Sequence, residues 1–252
     1  MFNAEKVTKD LIKWIQEYFV SSDGKNIVIG ISGGKDSTIC AELCARAVGR
    51  MNVYGLILPD GEQKDLNEAI AVCRHIGIKY EILNIEKLSK EMLSLLKETF
   101  HCLPMTDAYK YNTPARLRMT MLYGLATLMG GRVCCTSNLS EEYIGWNTKW
   151  GDAVGDFAPL LDFTAMEVRE IGEVLNLPRK FIYKTPIDGM REGSDEKAFG
   201  FSYDKLDLYL RKEEFDFQVN YYDNDISKIN KMHNQASHKR NPIPKFEYKP
   251  EI

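Results

Sequence analysis

A doubly wound α/β fold, a parallel sheet with helices on both faces, is what this 252-residue chain predicts. Three observations lead there. Short β-branched apolar runs alternate with amphipathic helical stretches, a Gly-rich turn follows the first run at once, and Gly or Pro signals punctuate each change. Residues 1–252 read as a single domain with no internal repeat and no linker, and the alternation predicts a parallel sheet with right-handed crossovers, for which the order taken is 3-2-1-4-5.

The first element is a helix over 5–20, where Val7, Leu11, Trp14, Ile15, Tyr18 and Phe19 form an apolar stripe. A stripe that aromatic packs either on the chain's own core or on a second subunit, where it is the candidate contact of a homodimer. Asn26–Ile31 is the first strand, followed by the Gly-rich turn and a helix over 37–48 with Ile39, Leu43 and Ala47 inward. Val53–Leu58 is the second strand, stopped by Pro59-Asp60-Gly61, and the next helix carries Leu66, Ala69, Ile70, Cys73 and Ile76 as far as Gly77. Tyr80–Ile85 is the third strand, before a helix with Leu88, Met92, Leu95 and Leu96. A polar loop over 102–113 leads to a long helix near 114–130, closed by Gly130-Gly131, and to a strand over 132–136.

Beyond 137 the pattern loosens into a loop over 138–157 and a segment Phe157–Leu161. Thr164 and Glu167 have capping-box spacing before a helix that Leu177-Pro178 stops. The stretch 185–202, with Gly189, Gly193 and Gly200, reads as a mobile loop; helices near 203–211 and 223–237 follow, and 241–252 is an irregular tail.

Charge and composition exclude several classes. Lys and Arg total 33 against 36 Asp and Glu, a net −3, so there is no global basic field of the kind that holds nucleic acid. No apolar run approaches the ~18 residues of a membrane helix, and the start, Met1–Lys6, lacks a leader pattern, so a cytoplasmic location is expected. Six cysteines without a C-x-x-C pair read as reduced core residues, and His75, His101, His233 and His238 have no ligand spacing. Any metal is therefore expected on oxygen ligands.

The chemistry concentrates in Ile29-Gly30-Ile31-Ser32-Gly33-Gly34-Lys35-Asp36-Ser37, between the first strand and the first following helix. Paired glycines let backbone N–H groups turn toward an anion, Ser32 and Ser37 add hydroxyls, and the helix adds its positive end. This is a phosphate site, yet Ile29 and Asp36 break the Walker A spacing and the dinucleotide G-x-G-x-x-G is absent. An acid inside a phosphate loop makes sense when Asp36 holds a divalent cation.

Ser32-Gly33-Gly34-Lys35-Asp36-Ser37 resembles the signature of ATP pyrophosphatases, which activate a carboxylate or carbonyl as an adenylate. Further stretches resemble one branch, the NAD synthetases: Asn112, Ala115, Arg116, Arg118 and Met119 match N-x-x-A-R-x-R-M. Thr136, Glu141, Gly145, Thr148, Gly151 and Asp152 match T-x-x-x-x-E-x-x-x-G-x-x-T-x-x-G-D, continued by Asp156, Pro159 and Leu160, and His238-Lys239-Arg240 matches near the end. The resemblance runs from about residue 5 to 245 and is to the short, ammonia-dependent form, without a glutamine-hydrolysing domain.

It implies a Rossmann-like fold of the adenine nucleotide alpha hydrolase type and ATP-dependent amidation of nicotinic acid adenine dinucleotide (deamido-NAD) by ammonia. ATP contacts are implied for Gly30, Ile31, Ser32, Gly33, Gly34, Lys35, Asp36, Ser37, Gln63 and Thr136, with Mg²⁺ on Asp36 and Glu141. These two acids lie 141 − 36 = 105 residues apart but face one crevice where the strand order reverses. Substrate contacts are implied for Asn112, Arg116, Lys149, Asp152, Asp156, His238 and Lys239, and the catalytic set is Lys35, Asp36, Asp152 and Asp156. Of the paired acids, one is expected to bind hydroxyls or amine and the other to admit or deprotonate ammonium. Basic or hydroxyl groups of the family are replaced by Ile57, Ala165 and Ile187, which leaves Lys184, Arg191 or Lys197 to serve ATP instead. The residues also leave open a tRNA-modifying ligase or thiolase with the same loop, and a nucleotide-binding regulatory protein with altered catalysis.

Overall fold

The computed structural model describes residues 2–63, 65–101, 104–184, 195–211 and 223–248. Its elements are α1 (Ala4–Ser21), β1 (Ile27–Gly30), α2 (Lys35–Val48), β2 (Val53–Ile57), α3 (Leu66–Ile76), β3 (Lys79–Ile82), α4 (Glu86–Thr99), α5 (Asp107–Met129), β4 (Arg132–Cys134), α6 (Leu139–Ile144), α7 (Ala165–Val174), α8 (Arg179–Ile182), α9 (Asp195–Phe199), α10 (Tyr203–Arg211), α11 (Asp223–Gln235) and α12 (Ser237–Arg240).

The four strands are parallel in the order β3-β2-β1-β4, with Ile27 of β1 aligned between Val53 and Arg132. The expected fifth position is a single parallel bridge, Cys134 to Phe157, closed by Asp156 N–H to Val133 O at 2.8 Å and Cys135 N–H to Phe157 O at 2.9 Å. β1 is the central strand and Ile27, Val28 and Ile29 are fully buried, as a strand covered on both faces must be. On one face α2, α3, α7 and α8 close a core through Ile39, Leu43, Val72, Ile76, Val168, Ile171 and Phe181. On the other, α5 places Met119, Leu122 and Ala126 against Val28, Leu56 and Val133. The winding reverses between β1 and β4, so the segments leaving their carboxyl ends open side by side.

Of its two expected places the stripe of α1 takes its own core: Leu11 and Ile15 pack against α2 and α7, and Tyr18 packs on Phe157 at 4.9 Å between ring centroids. Several other elements differ from the sequence reading. α4 instead has no buried residue and leaves Leu88, Met92 and Leu95 exposed. The long helix starts at Asp107, capped by the Thr106 side chain on Tyr109 N–H at 3.1 Å, so the polar loop is shorter than expected. Pro114 suggests a first-turn proline; it lies inside α5. α6 occupies the stretch expected to be loop, and α9 occupies 195–199 of the expected mobile loop. Residues 185–194 of that loop, with Ile187, Gly189, Arg191 and Gly193, lie outside the described residues, as do the tail residues 249–252.

Five cysteines, Cys40, Cys44, Cys73, Cys134 and Cys135, are buried and free, while Cys102 lies outside the described residues. Cys44 Sγ and Cys134 Sγ are 4.0 Å apart between α2 and β4. Burial pushes the Cys73 thiol up to about 12 and the Cys135 thiol up to about 11. Among the described residues no helix is long and apolar enough to cross a membrane.

Candidate active site

The phosphate loop leaves β1 and is held by its own hydroxyls. Ser32 Oγ and Ser37 Oγ are 3.1 Å apart, Gly34 N–H donates to Ser32 Oγ at 3.2 Å, and Thr38 Oγ1 donates to Gly34 O at 2.7 Å. Gly33 has φ +80°, and a Cβ there would lie 3.0 Å from Ala69 N, so the loop is seated against the start of α3. Ser32 stays exposed at the tip. Gly30 faces Leu122 and Ile31 is buried against Gly55, so at these two positions the core takes the side-chain direction and only backbone is left for a nucleotide.

Asp36, on the first turn of α2, receives Lys35 Nζ at 2.8 Å on one oxygen and Asn138 Nδ2 at 3.0 Å on the other. Asn138 is completely buried, and its side-chain oxygen accepts Glu141 N–H at 3.1 Å as the N-cap of α6. A single amide thus ties the two acids expected to share a cation. Burial first, then the Asp36 charge, pushes the Glu141 carboxyl up to about 8, against the opposite pull of Lys35. Burial alone would lower the Lys35 ammonium, but Asp36 and Glu141 outweigh it and the net shift is upward. Two carboxylates that repel one another in a desolvated site are a fitting donor pair for a hard divalent cation. Among the described residues no group of three or more His, Cys, Asp or Glu is placed to hold a metal ion.

The expected substrate residues gather around the segment 145–152. Thr148 N–H donates to Asp152 Oδ1 at 2.8 Å and Thr148 Oγ1 donates to Asn112 Oδ1 at 2.9 Å. Arg116 Nε donates to Lys149 O at 3.2 Å, Lys149 Nζ to the His238 carbonyl, and Lys239 Nζ to Gly145 O and Asn147 O at 2.7 and 2.6 Å. α12 is therefore clamped over the loop after α6. Asp152 is exposed along its length, yet the protein around its carboxyl desolvates it and raises its pKa, against the Thr148 N–H that lowers it. The Asp152 carbonyl accepts Ser137 Oγ at 3.1 Å, so Thr136-Ser137-Asn138, leaving β4, reach the phosphate side through Asn138 and the substrate side through Ser137.

Asp156 stands at the sheet edge rather than in this group. Val133 N–H donates to its carboxylate at 2.7 Å, Tyr123 Oη at 3.4 Å, and Tyr18 Oη donates to its carbonyl at 3.0 Å. Gln63 precedes α3, beside the Gly33 seat, and its carbonyl accepts Leu66 N–H at 3.4 Å. Of the basic residues expected to serve ATP, Lys184 reaches the same seat through an ion pair with Asp65 at 3.1 Å; Lys197 is on α9, and Arg191 is outside the described residues. Ala165 is fully buried in a small third core with Ile144, Phe199, Phe201, Tyr203 and Leu206, and Ile57 belongs to the main core.

Three site residues escape the sequence reading. Asn138 carries a signal that could have found it, since Asn138-x-x-Glu141 has N-cap spacing. Arg118 lies within the matched motif but gains meaning only in space: Nε donates to Leu58 O at 2.8 Å, past the carboxyl end of β2, while burial lowers its pKa against the opposing charges of Asp60 and Asp152. Tyr203, fully buried, turns its ring to Lys35 Nζ at 5.8 Å and donates to Asp195 at 3.4 Å; no local pattern announces that contact.

The chain is similar to known proteins. The family model described as NAD synthase matches residues 7–243. A protein of Thermococcus sibiricus named NH(3)-dependent NAD(+) synthetase is 35% identical over 93% of this chain and 94% of its own. Among solved structures, the NMN synthetase from Francisella tularensis superposes with a TM-score of 0.86 at 27% identity, covering 100% of both chains. An NH3-dependent NAD synthetase from Campylobacter jejuni, in complex with the nitrate ion, superposes with a TM-score of 0.80 at 25% identity, covering 98% of this chain and 100% of that one.

Proposed function

The chain belongs to the NAD synthase family, and from that premise we propose that it amidates deamido-NAD with ammonia at the expense of ATP, giving NAD, AMP and pyrophosphate through an acyl-adenylate. The observation that carries this reading is the segment after β4. Ser137 and Asn138 join the phosphate loop, through Asp36, to the Asp152 cluster, so an ATP and an acid substrate would meet across two adjacent residues.

Mg²⁺ is the cation we assign to Asp36 and Glu141, and when bound it supplies neutralisation of phosphate charge. Lys35, resting on Asp36 without ligand, is placed to turn to the departing pyrophosphate, and Arg118 guards the carboxyl end of β2. Holding carboxylate and α-phosphorus in line is most of the catalytic work. Asn112, Arg116, Lys149, His238 and Lys239 form the anchoring group for the dinucleotide, whose pyrophosphate and carboxylate call for placed cations in a chain of net charge −3. Between the two acids, Asp152 is our choice for receiving a proton from ammonium, because its carboxyl is raised and faces the cluster, while Asp156 is engaged with Val133 N–H and fixes the sheet edge.

Incubation with ATP, Mg²⁺, ammonium and deamido-NAD tests the reading: NAD, AMP and pyrophosphate should appear in equal amounts. AMP release only with tRNA would favour a ligase acting on RNA, and nucleotide binding without AMP would favour a regulatory protein. A second acid substrate is favoured by the full-length superposition on the Francisella NMN synthetase, namely nicotinic acid mononucleotide. Running both acids in the same assay ranks them by kcat/KM. We also propose a homodimer in which α4, rather than α1, meets the second copy, since α4 holds the exposed apolar row. Five free thiols support a reducing, cytoplasmic setting.

A further inference from the structure

Arg169 lies on α7, one turn beyond Ala165, and its Nε is buried with no hydrogen-bond partner. Among the described residues it pairs with Asp204, whose Oδ1 is 3.6 Å from Nη1 and whose side chain is 65% exposed, against 24% for Arg169. That is a weak solvated pair, and leaving a buried guanidinium donor unmatched is costly unless something else satisfies it. Helical side chains lean toward the N-terminus, so Arg169 covers the turn that Ala165 begins. Ala165 is small and fully buried, and its N–H donates to Ser140 Oγ at 3.0 Å, next to Glu141. The guanidinium is also close enough to Lys35 to oppose that ammonium's charge. Two cations held near one another beside a phosphate loop, one of them with an unused buried donor, are stable together when an anion lies between them.

We propose that Arg169 binds the terminal phosphates of ATP beside Lys35 and keeps hold of them as pyrophosphate leaves. The proposal rests on the reading of an ATP-cleaving synthetase given above and adds a phosphate ligand on α7 to it.

Calorimetry with ATP, inorganic pyrophosphate and AMP tests it on the full chain and on Arg169→Gln and Arg169→Lys, alongside KM for ATP and for deamido-NAD. Arg169→Gln should weaken ATP and pyrophosphate roughly tenfold to a hundredfold, as expected for loss of a hydrogen bond between charged groups. AMP, which lacks those phosphates, and the KM for deamido-NAD should stay unchanged, and Arg169→Lys should recover part of the loss. Unchanged ATP and pyrophosphate affinity in Arg169→Gln, or an equal loss for AMP, would overturn the assignment. Should Arg169→Gln fail to fold, Arg169→Lys decides alone by whether pyrophosphate weakens while AMP does not. Failure of the synthetase reading looks different: the wild-type chain would bind ATP through Arg169 and form no NAD.

Discussion

Asn138 sets the spacing of two carboxylates with one buried amide, its nitrogen on Asp36 and its oxygen on Glu141 N–H. Asn138→Ala frees both acids at once, and outer-shell losses of this kind cost on the order of 10- to 100-fold in metal affinity or activity. The variant should need correspondingly more Mg²⁺ for half-maximal rate, read from a Mg²⁺ titration of kcat/KM, with circular dichroism confirming the fold. Asp207 makes a second residue-scale prediction. It accepts Met166 N–H at 2.7 Å and the Ser140 hydroxyl, and burial pushes its carboxyl from 3.8 up to about 6. Because the folded chain binds that proton more tightly than the unfolded chain, its stabilising share is complete below about pH 4 and is lost as pH rises through 6. Asp207→Asn keeps a neutral side chain throughout. Its stability relative to wild type should therefore rise between pH 4 and pH 7, by at most about 3 kcal/mol, measured by urea unfolding at both values. Asp36 stands out in the sequence because an acid in a phosphate motif has few other uses, whereas Glu141 is singled out only by the resemblance to the NAD synthetases. Arg118 and Tyr203 are not, because each acquires its role from a partner far away in the chain.

At the scale of elements, α6 and α12 are one device. Gly145 closes α6 with φ +68°, and a Cβ there would sit 2.1 Å from Ala236 Cβ. Gly145→Ala must push the turn between α11 and α12 away, and Lys239, whose ammonium donates to Gly145 O, goes with it. Misplacement by about 1 Å costs on the order of 10²-fold, so kcat/KM for deamido-NAD should fall by that order while ATP affinity, measured by calorimetry, holds. α4 gives the oligomer test. Leu95 is 56% exposed, and a Leu88→Lys, Leu95→Lys double variant should elute as a monomer if α4 is the contact, with unfolding temperature of the monomer unaltered. Start signals read from sequence succeed where the cap is local, as for Thr164, whose capping box with Glu167 is formed. They fail at α5, because Pro114 looks like a first turn while the Thr106 cap lies eight residues earlier.

For the whole molecule, the alternation of strands and helices was legible because buried strands and amphipathic helices have different periods. The third core was not: Ile144, Ala165, Phe199, Tyr203 and Ile229 come from four separated stretches, and only folding brings Tyr203 among them to Lys35. The sulfur-rich heart of the main core has a practical consequence. Cys40, Cys44, Cys73, Cys134 and Cys135 are all buried, and burial pushes the thiols of Cys40, Cys73, Cys134 and Cys135 up, so a membrane-permeant alkylating reagent meets none of the five while the chain is folded. Their labelling, followed by mass spectrometry, becomes a clock for opening of the molecule, in which all five should be modified together rather than one by one. ATP, by binding the folded chain, should slow that clock by a factor of one plus the ratio of ATP concentration to its Kd.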